Sequence, residues 1–400
     1  FNLRDAAGYK DLGEFTVSNI LYGEKKEFVS RRESEIFKNE VLNSLYSFTP
    51  EIALQCGFTP SLLTQAYSQD FTSGRPLRNH SFYYLDKPKE NDELAVFYPD
   101  LTFAGVVKKT NRKLTYGFVI PLQKEDIKVY SWEQIVNKKF SKDFLETGTA
   151  ISIGSFDGTH IGHDSIFDLL LHKKTLAPGI VTFRHPTKSK SSSEKWSGEA
   201  SSLSQRMEFF ISKGFRFVIV IDFSDDFTKI KGNDFLSILK NNCNVKFIAE
   251  GQDFRCGYKG STDIPALQEF CESNSVELEV VDFIDYLDKK VSSSRIRQDV
   301  LDKEFEAIKI MLHRPYAIDC AGFYWRRENI NGQIYLTAKQ QGSQVFPPDG
   351  DYTVQIEMVI SGSEEISVTK TVACKLDSGL LRVLDSDGSL SGFVRAIQFG

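Results

Sequence analysis

Histidine is scarce in this chain: 400 residues contain 6. The 6 cysteines (Cys56, Cys243, Cys256, Cys271, Cys320 and Cys374) form no CxxC pair and no Cys/His cluster with zinc-finger spacing, which excludes a structural zinc module. Their scatter predicts buried free thiols in a reducing compartment, and hence a cytoplasmic location. No apolar run reaches the ~18 residues of a membrane span, and no signal-peptide pattern is visible. The sequence opens on Phe1 rather than Met, so an upstream segment is expected. Excess positive charge is also lacking. The net charge is -5 at pH 7, so no whole-chain attraction to nucleic acid or membrane exists and any anion site must be local.

What is present falls into three patterns. Residues 1–140 mix charged helical stretches with short strands ("ELAVFYPD", "LTFAGVVKK", "LTYGFVIPL") and read as an α+β region. The polar stretch "QKEDIKVYSWEQIVNKKFSKDFLETG" reads as a connector. Residues 148–315 alternate β-branched apolar runs ("AISIGSF", "GIVTF", "FRFVIVIDF", "VKFIAEG", "VELEVVDFI") with amphipathic stretches, which predicts an α/β unit built on a parallel sheet. Residues 316–400 alternate at short range between Gly, Pro, Asp and Ser, as in a small antiparallel β-barrel.

Two of the few histidines sit in "GSFDGTHIGHDSIF", Gly154 to Phe167. The string leaves an apolar strand and enters an amphipathic helix, where parallel sheets bind ligands. Gly154 and Gly158 permit tight turning. The helix start offers unpaired N–H groups to an anion, and His160 and His163 share one face of its first turn. This reads as a phosphate cradle. A metal held by the pair with His185 is the alternative, but no carboxylate is spaced to complete it, so no protein metal ligand is identified. In "VSSSRIR", serine hydroxyls at a second helix start and an arginine can also take a phosphate.

These residues resemble a family. "GSFDGTHIGH" is similar to the signature of the HxGH nucleotidyltransferases in the form used by bacterial FAD synthetases (the riboflavin kinase/FMN adenylyltransferase family). In order, "VTFRHP", "SLSQRMEFFISKGFRFVIVIDFSDDFTKIKGNDF", "EGQDFRCG", "VSSSRIR" and "FEAIKIMLHRPYAI" resemble its later motifs, over roughly 170 residues. The resemblance implies a Rossmann-like domain that transfers the adenylyl group of ATP to FMN, with Mg2+, giving FAD and pyrophosphate. It implies catalysis by His160, His163 and Arg297. Gly154, Phe156, Asp157, Gly158, Gly162, Ser293 and Ser294 would bind ATP, and His185, Pro186, Gln252 and Asp253 the flavin side. The sequence departs from the family at Arg184, where a proline is expected, at Gln252 and at Cys256. An adenylyltransferase for another mononucleotide and a non-catalytic RNA-associated remnant stay open as alternatives.

The flanks resemble parts of other proteins. Residues 316–400 stand where bacterial FAD synthetases carry a riboflavin kinase barrel, but the kinase's Gly-x-Pro-Thr-Ala-Asn motif has no counterpart, so a degenerate barrel without kinase activity is expected. "FNLRDA", "DFTSGRPL" and "ELAVFYPDLTFAGVVKKTNRKLTYGFVIP" resemble the C-terminal part of the tRNA pseudouridine synthase B family without its catalytic aspartate motif. This implies weak RNA contact at most, through Lys108, Lys109, Arg112 and Lys113.

Overall fold

A computed structural model describes residues 48–111, 113–120, 127–185, 197–222, 227–359 and 367–400. The stretch "FNLRDA", Arg112, Pro186 and the lysine- and serine-rich run after it lie outside the described residues. Among the described residues, no helix is long and apolar enough to cross a membrane.

The first unit carries the short helices α1 (Pro50–Gln55) and α2 (Ser68–Thr72) and five strands: β1 (Thr59–Leu63), β2 (Phe82–Tyr84), β3 (Glu93–Phe97), β4 (Phe103–Thr110) and β5 (Lys113–Val119). They order as β2-β1-β3-β4-β5, antiparallel except for the parallel β1–β3 pair.

The second unit is a six-stranded, wholly parallel sheet ordered β11-β10-β7-β8-β9-β6. In chain order it runs β6 (Lys128–Ser131), α3 (Trp132–Val136), α4 (Lys142–Thr147), β7 (Thr149–Ile153), α5 (Ile161–His172), β8 (Ala177–Phe183), α6 (Leu203–Lys213), β9 (Phe217–Ile221), α7 (Gly232–Cys243), β10 (Val245–Gly251), α8 (Ile264–Asn274) and β11 (Glu277–Val281). The central strands explain themselves. Every residue of Phe217–Ile221 is buried, and each such side chain contributes about 1.5–3 kcal/mol through removal from water. Separate clusters fill the two faces, one around Phe217, Ile219 and Phe235, the other around Phe167, Phe210 and Val218.

The sheet begins earlier than its apolar pattern implies. The polar stretch read as a connector supplies the edge strand β6 and two helices. An edge strand buries little, here Tyr130 alone, so its sequence stays polar. Its outer side is covered by the first unit, where Gln69 Oε1 accepts the Val129 N–H at 2.7 Å.

A short hairpin of β12 (Asp285–Tyr286) and β13 (Lys289–Lys290) precedes α9 (Ser293–Leu301) and α10 (Phe305–Leu312). Seven antiparallel strands follow: β14 (Tyr316–Asp319), β15 (Arg326–Ile330), β16 (Gln333–Lys339), β17 (Gly350–Val359), β18 (Ser367–Asp377), β19 (Leu380–Leu384) and β20 (Phe393–Phe399), ordered β14-β20-β17-β18-β19-β16-β15. The antiparallel character matches expectation. Packing ignores the boundary placed at residue 315, because Ile296, Val300, Ile308 and Met311 of the two helices share one core with Ile318, Leu381 and Ile397. The first unit also joins this sheet, with Leu62 and Phe97 packed with Ala321 and Phe393.

Candidate active site

Strand β7 lies between β8 and β10: the chain runs from β7 through β8 to β9 on one side, then crosses back to β10 on the other. That reversal opens a crevice beyond the carboxyl ends of the strands, and a cavity of about 900 Å³ occupies it. Gly154, Phe156, Asp157, His160, Gly162, His163, Asp253, Ser293, Ser294 and Arg297 line it. Gly158, His185 and Gln252 are not among its lining residues.

The loop between β7 and α5 is tightly wound. Phe156, Gly158 and Thr159 adopt positive φ of 48°, 87° and 42°. A side chain at Gly154 would meet the Phe156 ring at 3.0 Å. His160 caps α5 and stacks on His163, with centroids 3.8 Å apart and planes 16° from parallel. The His160 N–H donates to His163 Nδ1 at 3.3 Å, which leaves the His163 ring proton on Nε2. Burial lowers both residues, His160 to about 4 and His163 well below the ordinary histidine value, with the neighbouring His160 also lowering His163. The pair is therefore neutral near pH 7. Among the described residues, His160 Nδ1 is buried without a hydrogen-bond partner.

A second helix start faces the same cavity. Ser292 caps α9, its Oγ accepting the Arg295 N–H at 3.2 Å. Of the two hydroxyls expected to hold phosphate, that of Ser293 has its proton taken within the chain, whereas that of Ser294 only accepts. Ser293 Oγ donates to the Asp157 carbonyl at 2.8 Å, and Ser294 Oγ accepts from Arg297 Nη2 at 2.9 Å. What α9 offers a ligand is its first-turn backbone N–H groups and the Ser294 O–H. Arg297 Nη1 bonds Asp157 at 2.7 Å, both side chains being nearly buried. The Asp157 carboxylate also accepts the Ala200 and Ser201 N–H groups at 3.1 and 2.9 Å. Burial pushes Asp157 up, and these donors and the cations Arg206 and Arg297 oppose the rise.

Two arginines hold the loops from behind, and neither stood out in the sequence. Arg206 is fully buried and donates to the carbonyls of Ser155, Phe183 and Arg184 at 2.8, 3.0 and 3.1 Å, tying the ends of β7 and β8 together. Its signal was its place on the apolar stripe Leu203, Met207, Phe210 of α6. Arg314 donates to the carbonyls of Gly158 and Thr159 and to Thr159 Oγ1. Burial lowers it to about 10, still charged at pH 7. Gly158 thus shapes the loop without lining the cavity.

The flavin side differs from expectation. His185 Nδ1 lies 3.0 Å from Glu199 Oε1, and exposed Gln252 bonds Asp282 at 2.7 Å. Asp253 stays at the cavity, paired with Lys290 at 2.8 Å. Phe183, Phe227, Ile230, Phe235 and Phe254 supply an apolar wall instead. Phe227 lies edge-on to both Phe183 and Phe235, with centroids 6.4 and 5.8 Å away. The departure at Arg184 serves the first unit: Arg184 bonds Asp222 at 2.7 Å and Asp70 of α2 at 3.2 Å, over the Tyr67 ring. Cys256 lines the cavity as a neutral thiol, pushed up to about 12 by burial. Among the described residues, no group of three His, Cys, Asp or Glu side chains could hold a metal ion.

Comparison with known proteins agrees with this geometry. The family model for FAD synthetase matches residues 143–295. A bifunctional riboflavin kinase/FMN adenylyltransferase from Buchnera aphidicola subsp. Schizaphis graminum is 26% identical over 179 residues, 44% of this chain and 57% of that protein. The protein of the same description from Escherichia coli K12 is 25% identical over 57% of this chain and 75% of its own length. An FAD synthetase from Listeria monocytogenes is 23% identical over 58% of this chain and 88% of its own. The chain thus spans little more than half of the Buchnera relative. A crystal structure described as a macrolide-efflux protein from Streptococcus pneumoniae superposes with a TM-score of 0.57 at 18% identity, over 68% of this chain and 89% of that one, which establishes likeness of fold. Over residues 143–295, where its motifs lie in order on one parallel-sheet crevice, this chain is similar to the FAD synthetases.

Proposed function

We propose that the chain is an FMN adenylyltransferase. The observation that carries this reading is the convergence of two helix starts, capped by His160 and Ser292, and the stacked His160–His163 pair on one cavity with an aromatic wall. The helix starts and imidazole N–H groups suit the ATP phosphates, and the phenylalanines suit a flat flavin ring. A phosphate oxygen of FMN attacks the α-phosphorus of ATP. The new P–O bond forms as the bond to the β-phosphate bridging oxygen breaks, and pyrophosphate leaves. No protein nucleophile is required. Catalysis rests on positioning and on donors aimed at the developing charge. The neutral His163, protonated on Nε2, is such a donor. Arg297 acts by holding Asp157 and thereby the loop.

The cavity's donor set does not suit a protein-held cation. Asp157 is saturated by internal donors, and Asp253 is paired with Lys290. In this reading Mg2+ enters on the ATP phosphates as part of the substrate, and no step is routed through a protein metal site.

The direct test is incubation with FMN, ATP and Mg2+ followed by chromatography for FAD, with His163→Ala as control. Folded protein that makes no FAD refutes the reading, and exchange of FMN for nicotinamide mononucleotide or phosphopantetheine tests the acceptor. We further propose that the antiparallel unit has no riboflavin kinase activity, since residues 316–400 contain no counterpart of the Gly-x-Pro-Thr-Ala-Asn motif. Formation of FMN from riboflavin and ATP would overturn that. RNA contact by the first unit is a secondary proposal. Lys109 Nζ is bonded to the Pro88 carbonyl at 2.6 Å and Lys108 lies 4.0 Å from Glu93. Absence of salt-sensitive tRNA binding to the chain would remove it. All six cysteines are free, which supports a reducing, cytoplasmic setting.

A further inference from the structure

One carboxyl group in the cavity has no part in the phosphate cradle or the aromatic wall. Glu250, at the end of β10, is 3% exposed and lines the cavity. Its Oε1 accepts the Ile153 N–H from the end of β7 at 2.6 Å, so it bridges the two strands at the point where the strand order reverses. Asp157, the other buried acid of the cavity, has a guanidinium and two backbone N–H groups on its carboxylate. Among the described residues, Glu250 has no salt bridge of this kind.

We propose that Glu250 is a substrate-binding residue that takes a ribose hydroxyl of the nucleotide; the assignment rests on the adenylyltransferase reading. Position separates the ligand's parts. The triphosphate belongs at the starts of α5 and α9. The aromatic wall draws on Phe183 at the end of β8, Phe227 and Ile230 after β9, and Phe235 and Phe254 on either flank of β10, whereas Glu250 stands between β10 and β7, bonded to the Ile153 N–H. The sugar of ATP joins the phosphates to the base, and its hydroxyls are the polar groups left to satisfy there.

The chemistry of the carboxyl fits. Burial pushes Glu250 well above the ordinary carboxylate range, and the Ile153 N–H and Ser152 hydroxyl only partly oppose it. A neutral carboxyl both donates and accepts, as a hydroxyl does. It also adds no negative charge beside a triphosphate. A merely structural glutamate would cap the Ile153 N–H and be indifferent to the sugar.

The test compares kcat/KM for ATP, 2′-deoxy-ATP and 3′-deoxy-ATP in the wild type, Glu250→Gln and Glu250→Leu. A site built to bond a hydroxyl rejects the analogue that lacks it, so the wild type should favour ATP over at least one deoxynucleotide by roughly tenfold or more. Gln, which also donates and accepts, should keep that preference. Leu should lose activity with ATP and lose the preference. Equal use of all three nucleotides by the wild type overturns the proposal without recourse to a variant, which covers failure of the Leu protein to fold. Retention of the wild-type ratio by Glu250→Leu overturns it as well. If the wild type makes no FAD, the adenylyltransferase reading fails, and the same ratios measured as Kd by calorimetry still decide the role of Glu250.

Discussion

Gly162→Ala separates stability from catalysis in this cavity. Gly162 is the second residue of α5 and has no positive φ, so alanine suits its backbone. Removing a helical glycine is worth up to about 1 kcal/mol in stability, less near a helix start. The added methyl, however, would sit 3.0 Å from His160 Nδ1 and 3.1 Å from its Cε1. That is roughly 0.5 Å inside normal contact. The imidazole must yield, and its stacking on His163 at 3.8 Å closes one direction. Catalytic groups tolerate displacements of about 0.5 Å, and a 1 Å error can cost roughly a hundredfold. The expected outcome is a melting temperature equal to or above wild type with kcat/KM for FAD formation reduced roughly tenfold or more. Thermal unfolding and a chromatographic FAD assay on the same preparation provide the test. An activity within about twofold of wild type would refute the claim that the His160 position governs transfer.

Other consequences follow from the buried charges. Arg206→Met removes the guanidinium bonds to the Ser155, Phe183 and Arg184 carbonyls; it should cost several kcal/mol, at about 1.5–3 kcal/mol per charge-assisted bond lost, and denaturant titration measures it. Asp157→Ala strands the Arg297 charge and should destabilise by about 3–5 kcal/mol, whereas exposed Asp377→Ala should be near neutral in the same titration. Stability should also fall with acid. His160 has a folded value of about 4 against 6.5 unfolded, so its contribution is complete above pH 6.5 and is lost as pH drops toward 4. At pH 5 the loss is about 2 kcal/mol from His160, with His163 adding in the same direction, and His160→Gln should flatten this part of the profile.

Much of the site was legible because its chemistry is local. A strand, a glycine turn and a helix start occupy Thr149 to His172 without interruption, so "GSFDGTHIGH" could be placed at a strand end and a helix start from the sequence. The run Phe217–Ile221 likewise required a strand buried on both faces. Failures had physical causes. Strand β6 was missed because an edge strand needs few apolar residues. Ser293 and Arg297 were read as ligand groups because the sequence does not say that Asp157, 136 and 140 positions earlier, takes both as partners.

By itself, then, the sequence determined what neighbouring residues impose: strand and helix periods, the turn at Gly158, and two helix starts that can bind anions. Tertiary structure alone decided which charges are spent inside the chain. It paired Arg297 with Asp157, set Arg206 behind two loops, drew Arg184 to Asp70 and left Glu250 at the cavity. Those outcomes depend on burial, since a charge removed from water must take whatever partner the packing brings within reach.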